Sequence, residues 1–218
     1  MIHVFFLIRS LNIGGAERQL VELAKGLSKT NFKITICLFY NEGVLLKELH
    51  SIRNVKIITL DKSGRWDIFR FFFRLIRILK SLNPQILYSF LPEANIAGLI
   101  AGKISGVPRI VWGVRASNMD VSHYDWLAGI SLWLSALMSR FPNAIIVNSH
   151  VGKEFHRSIG YNTNRMIVMP NGIGTDRFKP DHSAGLRVRD EWGIDEKTVS
   201  IGLVGRLDPM KDHTTFSE

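Results

Sequence analysis

Residues 199–218 read VSIGLVGRLDPMKDHTTFSE. The apolar run from Val199 to Val204 is expected as a strand, Gly205 ends it, and residues 212–218 are expected to open a helix. Arg206 and Lys211 then fall at the strand's carboxyl end. Open α/β sheets bind ligands at that edge, and a pair of cations there suits a phosphate-bearing one. One strand and one helical turn cannot bury a core. The stretch is therefore expected to be the torn edge of a second domain, attached to a first that is complete.

The same strand-then-helix pattern runs through the rest of the chain. Short apolar runs at residues 4–8, 34–39, 55–60, 86–90, 110–114, 144–147 and 166–169 predict strands. Helical spacing fills gaps between them at residues 16–27, 66–82, 95–104, 126–139 and 151–159. Alternation of this kind predicts an α/β fold, a doubly wound, Rossmann-like parallel sheet covered on both faces, followed by an incomplete second Rossmann-like domain. Pro170-Asn171-Gly172 has strong turn chemistry, and the polar stretch after it carries Pro180 and Gly185. The expected organisation is a first domain over residues 1–172, a connector over 173–198, and the start of a second domain over 199–218.

Composition narrows the function. The 218 residues are 46% hydrophobic and carry a formal charge of +9, which favours anionic partners. The cations are dispersed and no nucleic-acid motif emerges, so DNA or RNA binding is not expected. The single cysteine, Cys37, excludes an intrachain disulfide and fits a reducing compartment. The opening run MIHVFFLIRS has no basic residue before its short apolar core and reads as a first strand, not a signal peptide. No stretch reaches the ~18 apolar residues of a spanning helix, so the chain is not expected to cross a membrane.

Several places could hold chemistry. Gly14-Gly15 joins the first strand to the first helix, where glycine permits positive φ and lets N–H groups approach an anion. A tight turn with no ligand fits the same two residues. In WDIFRFFFRLIRILKSL the cations Arg70, Arg74, Arg77 and Lys80 fall within about a third of the helix circumference. That is the pattern of a helix touching anionic lipid, and equally of a sheet-covering helix with a solvated basic face. Trp126 and Trp133 share a face of the following aromatic segment, with core packing as the default reading and a second lipid-facing surface as the other. Arg115, Asn118, Asp120 and His123 follow a strand and can reach a cleft, and His123 and His150 are acid–base candidates. There is no Asp-x-Asp pair and no metal-ligand spacing, so no metal is expected.

Four segments combine into a resemblance. GGAERQLVELAKGL, NSHVGKEF, MPNGIGTDRFKPD and GLVGRLDPMKDHTTF resemble, in order, the landmarks of glycosyltransferase family 4, of GT-B fold. The resemblance implies two Rossmann-like domains, with the acceptor held mainly by the first and a nucleotide-diphosphate sugar mainly by the second. It places Gly14 and Gly15 at the donor phosphates and makes Arg206 and Lys211 the cations that stabilise the leaving diphosphate. Glu17, Arg115, Asn118 and Asn171 become acceptor or cleft candidates, and Arg70, Arg74, Arg77 and Lys80 membrane-contact candidates.

The implied reaction retains anomeric configuration, uses no metal or other cofactor, and builds a cell-surface polysaccharide or glycolipid on a glycan or lipid-linked acceptor. The implied location is the cytoplasm, peripheral on the inner face of the membrane. Three positions depart from the family pattern. Arg115-Ala116-Ser117-Asn118 stands where many members have a histidine, Gly174 where aspartate is common, and the donor-binding glutamate pair lies outside the sequence. The chain alone is accordingly expected to be inactive. A nucleotide-sugar epimerase of the same fold and a non-catalytic membrane- or partner-binding module are the alternatives.

Overall fold

The computed structural model describes residues 1–218 apart from Ser51, Arg65, Trp66, residues 116–125, Arg177, Arg206, residues 208–211 and Glu218. Seven apolar runs pair as one sheet: β1 (Ile2–Ile8), β2 (Phe32–Leu38), β3 (Val55–Thr59), β4 (Ile86–Phe90), β5 (Arg109–Val114), β6 (Ala144–Val147) and β7 (Met166–Val168). Every pairing is parallel and the spatial order is β3-β2-β1-β4-β5-β6-β7. The sheet thus grows outward from β1 in one direction, then resumes from β1 in the other. Each predicted strand of this set is present, with ends shifted by at most two residues.

The helices follow from that order. α1 (Gly15–Ser28) and the short α2 (Leu46–His50) connect β1, β2 and β3. With Val4, Phe6 and Ile8 they close one core layer. α3 (Ile68–Leu82), α4 (Pro92–Ile104), α5 (Trp126–Met138) and α6 (His150–Ser158) connect the strands on the other side. Phe5 and Leu7, which point opposite to Phe6, pack with Phe71, Leu75 and Leu79 of α3 and with Ala94, Ala97 and Ala101 of α4. Leu99 of α4 and Ala136 of α5 share a third cluster with Ile110, Trp112 and Ile145. Small residues bring α4 close to the sheet. A Cβ on Gly98 would lie 3.2 Å from that of Ser89, and one on Gly102 would lie 2.8 Å from Leu87 Cδ2.

The chain divides into two compact units, Met1–Asn171 and Gly172–Glu218. In the second, residues 199–204 differ from expectation. The run is exposed and is not a strand, because a ladder needs a paired neighbour and the described residues of this unit contain none. The polar stretch read as connector contains α7 (His182–Glu191), started by Asp181, whose carboxylate accepts from the Ala184 N–H at 2.9 Å. The helical turn expected near the end is α8 (His213–Ser217). α2 and α7 escaped the sequence reading for separate reasons. α2 is too short to display a period, and Gly185 obscured α7.

Two buried histidines make the first unit sensitive to acid. His3 Nε2 lies 2.8 Å from Thr35 Oγ1 inside the sheet layer, and His156 Nδ1 lies 2.7 Å from the Gly152 carbonyl, edge-on to Tyr161. Burial lowers the pKa of both below the ordinary 6.5, with Lys33 adding to the effect at His3. The unfolded chain therefore binds protons more readily than the fold over the interval just below 6.5. Stability should be at its plateau above that value and fall as pH drops through it. Thermal melts from pH 7.5 to 5 (about the working range of histidine) should show a falling Tm that His3→Gln with His156→Gln flattens; an unchanged slope in the double variant would contradict the assignment.

Candidate functional site

Right-handed crossovers put helices on one face when a parallel sheet grows in one direction and on the other face when it reverses. The reversal here lies between β1 and β4, which are paired with Leu7 opposite Ser89. The two strands leave the sheet side by side, but their following helices, α1 and α4, diverge to opposite layers. A crevice must open at their carboxyl ends, and in open α/β sheets that crevice is where ligands bind.

The two helix starts at the crevice share a feature that α6 lacks. Ser149 caps α6 by accepting from the Gly152 N–H at 3.0 Å. Gly14 before α1 and Leu91 before α4 provide no side-chain cap. At neither helix does the residue before the first turn offer a side-chain acceptor to the N–H groups that face the crevice from the positive end of the helix dipole. Neither glycine uses the positive φ that the sequence suggested. Gly14 is extended, at φ −164°, and Gly15 is the first residue of α1. What glycine supplies is room. A Cβ on Gly14 would collide with the Glu17 carboxylate, which folds back over the helix start, whereas the space beside Gly15 is open.

The other side of the crevice is held in strain. Leu91 has φ 75° and ψ 156°, a region almost reserved for glycine and costing about 1–3 kcal/mol elsewhere. Pro92 at the first helical position accounts for the extended ψ but not for the positive φ. The conformation is fixed by the Leu91 N–H donating to the Gly113 carbonyl at 3.2 Å and by the Leu91 carbonyl accepting from the Asn95 N–H at 2.9 Å. Asn95, fully buried, also donates from Nδ2 to the Gly113 carbonyl, and Ser89 Oγ donates to its Oδ1 at 2.8 Å. Nothing local in Ser-Phe-Leu-Pro announces this turn; it depends on β5 being alongside.

Arg115 stands where β5 ends. Its Nη1 donates to Asn171 Oδ1 at 2.7 Å, and its guanidinium lies 5.3 Å from the Phe90 ring centroid. Burial raises the pKa of Tyr88, with Arg115 beside it acting in the opposite direction. Sequence reasoning named Arg115 and Asn171 separately as cleft candidates; the structure joins them in one contact between the ends of β5 and β7. Gly14, Gly15 and Glu17 meet at the start of α1. Asn118, Asp120, His123, Arg206 and Lys211 lie outside the described residues. His150 is exposed at the start of α6. Of the four α3 cations, Arg70, Arg77 and Lys80 are exposed, while Arg74 is half-buried and donates to the Leu60 carbonyl at 2.7 Å. Among the described residues no cluster of His, Cys, Asp or Glu could hold a metal ion.

The glycine loop is itself strapped in place by a residue the sequence reading passed over. Gly43, at φ +135°, presses the segment after β2 against Leu11. Leu11 donates its N–H to the Glu42 carbonyl at 3.0 Å and accepts from the Leu45 N–H at 3.1 Å. A Cβ on Gly43 would overlap the Leu11 main chain, which cannot swing aside as a side chain can. Gly43→Ala should cost about 2–3 kcal/mol of unfolding free energy. Denaturant melts decide it, and a variant within experimental error of the wild type would show that the two segments are not in contact.

Comparison with known proteins places this geometry. Residues 13–177 match the family model described as Glycosyltransferase Family 4. A GalNAc-alpha-(1->4)-GalNAc-alpha-(1->3)-diNAcBac-PP-undecaprenol alpha-1,4-N-acetyl-D-galactosaminyltransferase of Campylobacter jejuni is 35% identical over 227 aligned positions, covering 99% of this chain and 56% of that protein. A UDP-Gal:alpha-D-GlcNAc-diphosphoundecaprenol alpha-1,3-galactosyltransferase of Escherichia coli is 23% identical over 145 positions, covering 66% of this chain and 38% of that protein. The chain thus spans roughly half the length, or less, of these curated relatives. Among solved structures, Anabaena Alr3699/HepE in complex with UDP-glucose superposes with a TM-score of 0.70 at 21% identity, over 88% of this chain and 50% of that one, so the two share the fold. The switch-point crevice, the uncapped glycine turn and the family match agree: the chain belongs to glycosyltransferase family 4.

Proposed function

We propose that the chain is the acceptor-side part of a glycosyltransferase that moves a hexose-type sugar from a nucleotide-diphosphate donor to a lipid-linked glycan. The observation that carries this reading is the crevice at the β1/β4 reversal, with the uncapped starts of α1 and α4 on its two sides. A diphosphate there would take N–H donors from Gly15 and the residues after it, at the positive end of the helix. Glu17 would have to turn away from Gly14 as the dianion arrives, which its flexible side chain permits. The family resemblance makes Arg206 and Lys211 the cations of the donor diphosphate. As the bond from the sugar's anomeric carbon to the diphosphate breaks, its electron pair leaves on the phosphate oxygen, and fixed positive charge lowers the barrier. The acceptor hydroxyl forms the new bond and its proton passes to that departing oxygen. Transfer on this same face retains configuration and calls for no metal.

Lipid-linked acceptors appear in the names of both relatives, and α3 fits a bilayer surface. Phe69 and Phe73 are 91% and 68% exposed on the arc that also carries Arg70, Arg77 and Lys80. Aromatic rings beside cations are the composition of an interfacial helix. No helix among the described residues is long and apolar enough to cross a membrane, so contact of the peripheral kind, on the inner face where nucleotide sugars are made, completes the proposal.

The test uses the full-length protein, undecaprenol-diphosphate-linked glycans and a panel of UDP-sugars, with nucleotide release and product anomer as readouts. Release that requires the acceptor supports transfer. Epimer formed without acceptor would replace this reading with an epimerase, and vesicle binding with neither reaction would leave a binding module. Arg206→Ala and Lys211→Ala should each reduce turnover by about 100- to 1,000-fold. Near-normal rates in both would remove them from the leaving-group site.

A further inference from the structure

α5, WLAGISLWLSALM, runs for thirteen residues without a charged one. A helix so apolar is expected to be buried all round. It is not. Trp126, Ile130, Trp133 and Leu137 are 68%, 48%, 65% and 45% exposed. Their spacing of four, three and four residues puts all four within about 60° of arc, in a line about 16 Å long. The opposite side of the helix, with Ser135 and Ala136 buried and Leu132 and Met138 packed on the sheet cluster, already fills the core. The exposed line is therefore no part of the first unit's own core.

We propose that this line is a second lipid-contacting element, which inserts Trp126, Ile130, Trp133 and Leu137 into the interfacial region of an anionic bilayer. Three observations select lipid over another copy of the chain. First, α3 and α5 both flank α4 on one side of the sheet, so the apolar line belongs to the same helix layer as the exposed Phe69 and Phe73. Second, the charge of that layer is mainly positive. Its helices carry Arg70, Arg74, Arg77, Lys80, Lys103, Lys153 and Arg157 against Glu93 and Glu154, and exposed Arg140 follows α5. Two copies meeting through such faces would oppose cation to cation, whereas acidic headgroups neutralise them. Third, tryptophan stands near one end and in the middle of the line, and its amphipathic ring favours the level of the headgroups.

The two helices then divide the work. α3 contributes attraction that salt screens, and α5 contributes apolar insertion that salt leaves largely intact. The proposal deepens the membrane contact assigned above. Its test involves no sugar transfer, so either idea can fail without the other.

The full-length protein is mixed with vesicles of phosphatidylcholine and phosphatidylglycerol, with and without brominated acyl chains, at low and high salt. Binding should persist in part at high salt, and tryptophan emission should be quenched by the brominated lipid. Trp126→Ser with Trp133→Ser should weaken binding by about tenfold or more at both salt levels and abolish most of the quenching. Ile130→Ser with Leu137→Ser, which keeps both tryptophans, should weaken binding in the same way and guards against a folding defect in the first variant. Lys80→Gln with Arg77→Gln should matter only at low salt. Three results would overturn the proposal: no vesicle binding by the wild type, binding unaffected by both apolar pairs, or a concentration-dependent dimer that either apolar pair dissociates, which would make a second copy the occupant.

Discussion

A parallel sheet built with right-handed crossovers cannot grow in two directions from its first strand without separating the helices that follow the two central strands. β1 and β4 meet that condition, and most of what is distinctive in the molecule depends on it. α1 goes to one layer and α4 to the other, and the crevice between their starts is a consequence of topology before any side chain is considered. The side chains then keep it open. Gly14 leaves room above the start of α1, Gly43 lets a neighbouring segment hold the loop from behind, and the hydrogen bonds of Leu91 and Asn95 with Gly113 fix the start of α4. Leaving both helix starts without a side-chain cap costs stability that a serine or aspartate would supply, roughly 1 kcal/mol each. Such a cost is expected where a ligand, not the protein, provides the acceptor.

The helix layer away from α1 works under a different constraint. α4 sits close to the sheet because Gly98 and Gly102 replace side chains at its inner face, so its flanking helices α3 and α5 are left to present the layer's outer apolar residues. Arg74 shows that not every cation of α3 belongs to that outer surface. Its guanidinium holds the Leu60 carbonyl beyond the end of β3, which fastens the helix to the sheet edge. The remaining cations, Arg70, Arg77 and Lys80, are exposed, as are the rings of Phe69 and Phe73. The proposed donor edge and the basic, apolar layer on one face are consistent with the proposed transfer from a dissolved donor to a lipid-held acceptor.

Much of this was legible in the residues. Strand positions in the first unit could be read because parallel strands buried on both faces are continuous apolar runs, as in FFLI after Val4 or AIIV at β6. The family landmarks carried the functional reading further than composition could. What the residues concealed were features set by contacts distant in sequence. The strained Leu91 depends on β5, the bond from Arg115 to Asn171 spans two strand ends, and the crowding at Gly43 depends on Leu11. Residues 199–204 misled in the opposite direction. Their apolar pattern is that of a strand, but a strand is a property of a pair of segments, and none of the described residues after Gly172 forms the partner. α5 misled too, since composition alone cannot distinguish a buried face from an exposed one of equal apolarity.

The central claim is that the donor diphosphate binds at the β1/β4 reversal, between the starts of α1 and α4. Hydrogen–deuterium exchange on the full-length protein, with and without a UDP-sugar that it turns over, tests this most directly. The account predicts slowed exchange in peptides covering the Gly14-Gly15 turn and in those covering Leu91 to Asn95, with the outer faces of α3 and α5 unchanged. Unaltered exchange in both turns, alongside protection elsewhere in the protein, would contradict it.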